Sequence, residues 1–142
     1  MPVINFTGFF FIFEFVNNNQ KGCYAEYLFA TEAIKNGFNV SMPLLDKSKY
    51  DCILEKNGDL FKFQIKYMGK DRYKHNGTMQ INLKRIGART YDKKQVDFFA
   101  IWHEEYNGFF IIPNEGQKTM KININGKYKN NFNNFDIISW LV

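Results

Sequence analysis

The sequence predicts an α/β domain: a central mixed β-sheet flanked by helices, with one helix before the sheet and β-hairpin elaborations after it. Three observations carry this. A helical stripe ends at a glycine near position 37, an Asn-Gly pair joins two strand-like runs, and a buried apolar run is followed by a second Asn-Gly turn. At 142 residues the chain is long enough for one domain with a real core. Aromatic residues make up 18% of it, with 16 Phe and 8 Tyr, so apolar area is plentiful.

The helix is expected over residues 21–36, where Lys35-Asn36-Gly37 reads as a stop with glycine at the C-terminal cap. Glu26, Phe29, Ala30 and Ala33 fall on one helical stripe. Three of the four are apolar and would pack on the sheet. A Glu at the start of such a stripe calls for a partner, which a metal or Lys66 would supply.

Asn57-Gly58 sits between residues 49–56 and 59–67, and Asn-Gly between such runs signals a two-residue hairpin. With 57 and 58 as the loop, Lys56 faces Asp59, and counting back along both strands places Asp51 opposite Gln64. Lys66 lies two residues further and shares that face. The opposite face pairs Cys52 with Phe63 and Leu54 with Phe61, which is core chemistry. Further on, residues 68–78 read as a loop or a long hairpin end, and 79–84 as a strand. Residues 85–95 are ambiguous, with a short helix carrying Arg89 and Tyr91 as one reading. Residues 96–104 form a buried strand, which Asn107-Gly108 turns back into 109–112, ending at Pro113. Residues 118–124 alternate as a strand, and 135–142 form a terminal helix.

Residues 1–20 are an aromatic-rich extension, and 21–142 a single domain. The extension holds Phe9-Phe10-Phe11-Ile12-Phe13-Glu14-Phe15-Val16, too short for a membrane span and interrupted by Glu14. It lacks a basic leader and a small-residue cleavage site, and so makes a poor signal peptide. It reads as an aromatic strand or an oligomer-facing segment, and Asn17-Asn18-Asn19-Gln20 as a polar connector. The two cysteines, Cys23 and Cys52, have no short-spaced metal pairing and suit a reduced, intracellular protein in the cytoplasm, nucleoid or nucleus. There is no internal repeat, no phosphate-cradling glycine loop and no metal-spaced His/Cys set. His103 on a strand reads as structural.

A carboxylate, an amide oxygen and an ammonium side by side suit phosphodiester hydrolysis. Mg²⁺ takes oxygen ligands and keeps several waters, so one or two carboxylates and a phosphate oxygen can hold it. Asp51 is the natural ligand, with the Gln64 side-chain carbonyl and the Ile65 backbone carbonyl in reach. Lys66 can stabilise developing negative charge or hold the attacking water.

Charge is uneven. The chain carries +5, yet between Lys62 and Lys94 ten basic residues meet two acidic ones, a net of +8 that leaves −3 to the rest. Such a block suits a phosphate backbone. Interleaved Tyr67, Tyr73, His75 and Tyr91 could reach phosphates or stack on bases.

In this order the residues resemble the PD-(D/E)XK nuclease superfamily. Pro43 and Asp51 match its Pro…Asp element, and Gln64-Ile65-Lys66 matches its (D/E)-x-K element with Gln replacing the acid. Residues 21–26, Lys-Gly-Cys-Tyr-Ala-Glu, look like the family's first helix with its extra Glu. The likeness is greatest to the branch of homing endonucleases associated with group I introns, in which a Gln-x-Lys triplet serves. Tyr91, Gln95-Val96-Asp97-Phe98-Phe99-Ala100 and Ile111-Ile112-Pro113 also fit that branch, so the resemblance covers about residues 21–113.

The resemblance implies a PD-(D/E)XK nuclease-like core and a Mg²⁺-dependent endonuclease acting on double-stranded DNA, with Mn²⁺ as a substitute metal. It implies catalytic roles for Glu26, Asp51, Gln64 and Lys66. Asp51, Gln64 and Ile65 would hold the metal, and Glu26 a second metal or the water. Lys70, Arg72, Lys74, His75, Lys84, Arg85, Arg89, Tyr91, Lys93 and Lys94 would contact DNA. A double-strand cut implies a homodimer or homotetramer, with no membrane partner. The alternatives are a Holliday-junction resolvase, which usually carries Glu where this chain has Gln64, and an inactive DNA-binding module of the same fold.

Overall fold

A computed structural model of the protein describes residues 16–69, 77–85, 87 and 89–140. The first helix among the described residues, α1 (Asn18–Lys35), starts three residues earlier than expected. The Asn-rich stretch before residue 21 is its first turn and N-cap. The Asn17 side chain accepts from Gln20 N–H at 2.9 Å, and the Gln20 side chain accepts from Asn17 N–H at 2.8 Å. This reciprocal capping box satisfies two donors that a helix start leaves orphaned. At the other end Gly37 takes φ 85°. Its N–H reaches Ile34 O at 3.0 Å, and Phe38 N–H reaches Ala33 O at 3.1 Å. That pairing is the Schellman ending, which a glycine at this position permits.

Among the described residues seven strands follow: β1 (Asn39–Ser41), β2 (Cys52–Lys56), β3 (Asp59–Met68), β4 (Met79–Asn82), β5 (Phe98–His103), β6 (Gly108–Pro113) and β7 (Thr119–Ile122). Five of them make one mixed sheet in the order β1-β2-β3-β5-β6. β3 and β5 are parallel, and every other neighbour in that sheet is antiparallel. The Asn57-Gly58 turn forms as expected. Both residues take positive φ, 54° and 86°, the type I′ geometry that matches strand twist. Lys56 pairs with Asp59, Leu54 with Phe61 and Cys52 with Phe63.

The sheet buries both faces. On one face α1 sets Phe29 against Phe63, Phe109 and Phe135, with ring centroids 4.9, 5.2 and 5.7 Å apart. Ala25, Ala33, Cys52, Leu54, Ile65, Ala100 and Trp102 complete that core. The other face holds Met68, Phe99, Ile101, Phe110 and Ile112. There the cover differs from expectation. Among the described residues it is a two-stranded sheet of β4 and β7, not a helix. The 79–84 and 118–124 runs are therefore not separate hairpins. They pair with each other, Met79 with Ile122 and Ile81 with Met120, and bury these four side chains against the main sheet. β5 is buried at every position because it lies between β3 and β6 with both faces covered.

Residues 104–107 link β5 to β6, with Asn107 at φ 55°. Gly108 is already in β6, and a Cβ there would overlap the Phe132 ring and the Asn133 side chain. Two further expectations change. No helix forms among the described residues of 85–95. Arg85 N–H bonds Arg89 O at 2.7 Å, and Asp92 starts a tight turn that accepts from Gln95 and Val96 N–H. The terminal helix is a short 3-10 segment, Phe135–Trp140, pinned through buried Phe135 and Ile138. Both cysteines are free, Cys23 exposed and Cys52 buried. No helix among the described residues is long and apolar enough to cross a membrane.

Candidate active site

The β2–β3 hairpin carries the centre of the site. Antiparallel pairing continues one step past β2, where Asp51 N–H bonds Phe63 O at 2.8 Å. The chain then leaves the sheet. The Asp51 carboxylate takes over the vacated ladder position. Its Oδ2 accepts from Ile65 N–H at 2.6 Å and from Gln64 Nε2 at 2.7 Å. Ile65 N–H therefore points to the β2 edge. In a strand, the N–H and C=O of one residue leave on the same edge. The Ile65 carbonyl thus also opens towards the gap that β2 vacates.

Alternation along β3 buries Phe63 and Ile65 on the helix side and leaves Gln64 and Lys66 half-buried on the other. Lys66 Nζ lies 3.3 Å from Tyr91 Oη and 5.2 Å from the centre of its ring. Glu26 arrives from α1, on the opposite side of the sheet, at the end of β2. Sequence pattern allowed a metal or Lys66 as its partner. Among the described residues no salt bridge joins Glu26 to Lys66, and the charge that acts on Glu26 is that of Asp51.

Electrostatics records this convergence. Burial and then the Asp51 charge push the Glu26 carboxyl up to about 7. Burial raises Asp51 as well, while the Ile65 N–H and the Lys66 ammonium offset part of that rise. Burial, Asp51 and Glu26 together push the neighbouring Cys52 thiol up to about 12. Two carboxylates are thus held close, with one ammonium nearby.

This pair of acids is short of positive charge, and their proximity fits a divalent cation. Among the described residues no three His, Cys, Asp or Glu side chains gather into a larger set. The remaining oxygens at hand are the Gln64 side-chain amide and the Ile65 carbonyl, donors that suit Mg²⁺ rather than a thiolate-seeking metal.

The basic block is partly in view. Lys70, Arg72, Lys74 and His75 lie outside the described residues. Lys84 and Arg85 follow β4 half-buried, while Arg89, Lys93 and Lys94 are exposed. The Arg85 guanidinium lies 5.9 Å from the centre of the Tyr91 ring. Lys94 gives its carbonyl to the Lys62 ammonium. His103 is fully buried, its Nδ1 accepting from Tyr106 N–H at 3.2 Å, and burial lowers it to about 4. That is a structural histidine.

The sequence did not single out Asn114. It is buried, and its Nδ2 donates to Tyr91 O at 3.1 Å and Val96 O at 2.9 Å, fastening the 91–96 loop beside Lys66. Its one local sign is an Asn directly after an apolar strand, which by itself reads as an ordinary turn residue.

No curated protein sequence matches the chain. Among solved structures it is similar to a bacterial homing endonuclease, I-Ssp6803I, with a TM-score of 0.74 at 19% identity over 87% of this chain and 93% of that one. It is also similar to Hjc, a Holliday junction resolvase from the hyperthermophilic archaeon Archaeoglobus fulgidus. There the TM-score is 0.50 at 14% identity, over 72% of this chain and 84% of that one. At these identities the likeness speaks for the fold. A family model described as PD-(D/E)XK endonuclease matches residues 16–138, nearly the whole described chain, and the protein belongs to that family.

Proposed function

We propose that the protein is a metal-dependent DNA endonuclease that cuts a specific duplex site, in the manner of a homing endonuclease, and works as a homodimer or larger homo-oligomer. The observation that carries this is the convergence of Asp51, Gln64 and Lys66 on one hairpin face with Glu26 electrostatically coupled to Asp51. Asp51, Gln64 and the Ile65 carbonyl would hold Mg²⁺, with Glu26 holding a second ion or orienting the water. When bound, the metal supplies Lewis-acid polarisation of the phosphoryl oxygen and a more acidic water.

The chain's own residues do the rest. Asp51 is fixed by Ile65 N–H and Gln64 Nε2, so its second oxygen can face the site without reorganisation. Glu26, with its raised proton affinity, can take a proton from water near neutral pH. Lys66 offers a positive charge where the phosphate gains negative charge. Lys84, Arg85, Arg89, Lys93 and Lys94 extend the basic surface from this strand, Tyr91 turns its hydroxyl to Lys66 instead, and Lys70, Arg72, Lys74 and His75 belong to the same basic stretch of sequence. Two free cysteines and action on DNA fit an intracellular protein.

The test is incubation with Mg²⁺ and three substrates: a library of long duplexes, plasmid, and a four-way junction. Cutting at one long duplex site supports the proposal. Sequence-independent cutting confined to junctions replaces it with a resolvase. Tight binding with no cutting in Mg²⁺ or Mn²⁺ replaces it with an inactive binding module. Light scattering that gives a monomer with and without DNA removes the assembly part.

A further inference from the structure

Lys66 is tethered without a direct salt bridge among the described residues. Its ammonium is instead held by Tyr91, donating to the hydroxyl at 3.3 Å from the edge of a ring whose centre lies 5.2 Å away. A lysine carries its charge on a flexible four-carbon stem, which must be ordered to hold one position. Tyr91 is itself well fixed. Its ring meets Phe99 edge-on at 5.6 Å, and its carbonyl accepts from the buried Asn114. Phe99 sits in β5, beside β3 in parallel register, Gln64 opposite Phe99 and Lys66 opposite Ile101. A rigid chain of contacts therefore runs from the centre of the sheet through Tyr91 to the ammonium.

We propose that Tyr91 is the positioning residue for Lys66: its hydroxyl holds the ammonium beside Asp51, and Asn114 locks the loop that presents it. This rests on the reading of Lys66 as a group that stabilises charge during cleavage. Tyr91 touches no reacting atom in this scheme and acts through Lys66. The hydroxyl dominates over the ring face, because an ammonium 3.3 Å from the oxygen and 5.2 Å from the ring centre stands out beyond the ring edge, where it meets the oxygen's lone pairs and not the π face.

The experiment is single-turnover cleavage in Mg²⁺ over a range of DNA concentrations, using wild type, Tyr91→Phe, Tyr91→Leu, Lys66→Ala and the Lys66→Ala/Tyr91→Leu pair. Tyr91→Leu should lower the saturated rate by roughly 10–100-fold, the scale of a misplaced catalytic group, with half-saturation moved by less than about threefold. Tyr91→Phe, which keeps the ring and loses the hydroxyl, should also lower the saturated rate, by roughly 10-fold. In the Lys66→Ala background, Tyr91→Leu should cost less than about twofold, because a residue acting through Lys66 has nothing left to position.

A second readout needs no cleavage. By NMR the Lys66 side-chain methylene groups should show restricted motion in wild type that is lost in both Tyr91→Phe and Tyr91→Leu. A Tyr91→Leu protein that keeps its rate, or that loses affinity with its saturated rate intact, overturns the inference. So does a loss of full size in the Lys66→Ala background, or a Lys66 signal indifferent to the hydroxyl. A wild type that cuts no DNA, or a Lys66→Ala that cuts normally, removes the underlying reading of the site instead.

Discussion

Replacing Glu26 with glutamine should remove a pH dependence of stability from the metal-free protein. Glu26 is half-buried beside Asp51, and its carboxyl stands at about 7, against an ordinary value of 4.5. A carboxyl with a raised folded value keeps its proton in the folded state at pH values where the unfolded chain has lost it. The folded state then binds more protons between about pH 4.5 and 7, so stability falls as pH rises through that window. Taken at face value the shift is about 3.4 kcal/mol, at about 1.36 kcal/mol for each pH unit. Glu26 still sees solvent, and screening reduces this to about 1 kcal/mol. For a domain of this size that is roughly 3 °C in Tm.

The substituted glutamine has the shape of the native side chain and no charge. In EDTA, Glu26→Gln should match wild type at pH 5 and melt about 3 °C higher at pH 8. Saturating Mg²⁺ at pH 8 should narrow or invert the gap, because wild type gains linkage stabilisation that the variant forgoes, about 2.7 kcal/mol at a hundredfold excess over Kd. Calorimetry or circular dichroism at pH 5, 6, 7 and 8 measures this. Melting temperatures of variant and wild type that stay parallel across that range in EDTA would refute the reasoning, since Glu26 would then feel neither its burial nor Asp51.

Lys66→Ala should lower cleavage by about 3–4 kcal/mol in transition-state stabilisation, with DNA affinity nearly unchanged; a single-turnover rate above about a tenth of wild type, a loss of only about 1.4 kcal/mol, contradicts it. Gln64→Glu removes the donor to Asp51 Oδ2 and sets a carboxylate there instead, so the metal-free protein should lose about 1–3 kcal/mol while titration shows tighter Mg²⁺ binding; unchanged values in both assays would move the metal elsewhere. Asp51→Asn should abolish metal-supported cleavage, and Glu55 cannot replace it because its carboxylate is engaged by Asn39 and the Gly58 N–H; activity surviving in that variant would dismiss Asp51 as a ligand. DNA affinity should fall with salt at a log–log slope near about −4.5 for about five phosphate contacts, and a flat titration would argue against the basic block as the DNA face.

The site was legible where chemistry is local. Asn57-Gly58 fixes its own turn, and a two-residue turn fixes the register, so the Asp51–Gln64 adjacency could be counted from the sequence. The helix stripe was legible through its period, though the helix starts before the stripe does. The capping box of Asn17 and Gln20 is a local signal that an Asn run disguises as a connector. What lay beyond reach is non-local. No residue in β3 states that β5 will lie parallel beside it, and β4 and β7 are separated by the whole β5–β6 hairpin. The loop holding Tyr91 reads as a possible helix because its order comes from Asn114, beyond β6, and not from its own sequence.

Asp51 closes one ladder position with a side chain where a backbone carbonyl would otherwise stand. The negative charge of the site is therefore divided between two elements, the hairpin and helix α1 with Glu26, which must dock on the sheet. With α1 undocked, the hairpin holds one carboxylate against one lysine and has little hold on a divalent ion. Only the docking of α1, anchored by Phe29 among Phe63, Phe109 and Phe135, brings the second carboxylate and completes the charge imbalance. On the proposed function, the chain arms itself last: the aromatic core that finishes the fold is also the safety catch that keeps an incomplete nuclease from cutting the DNA around it.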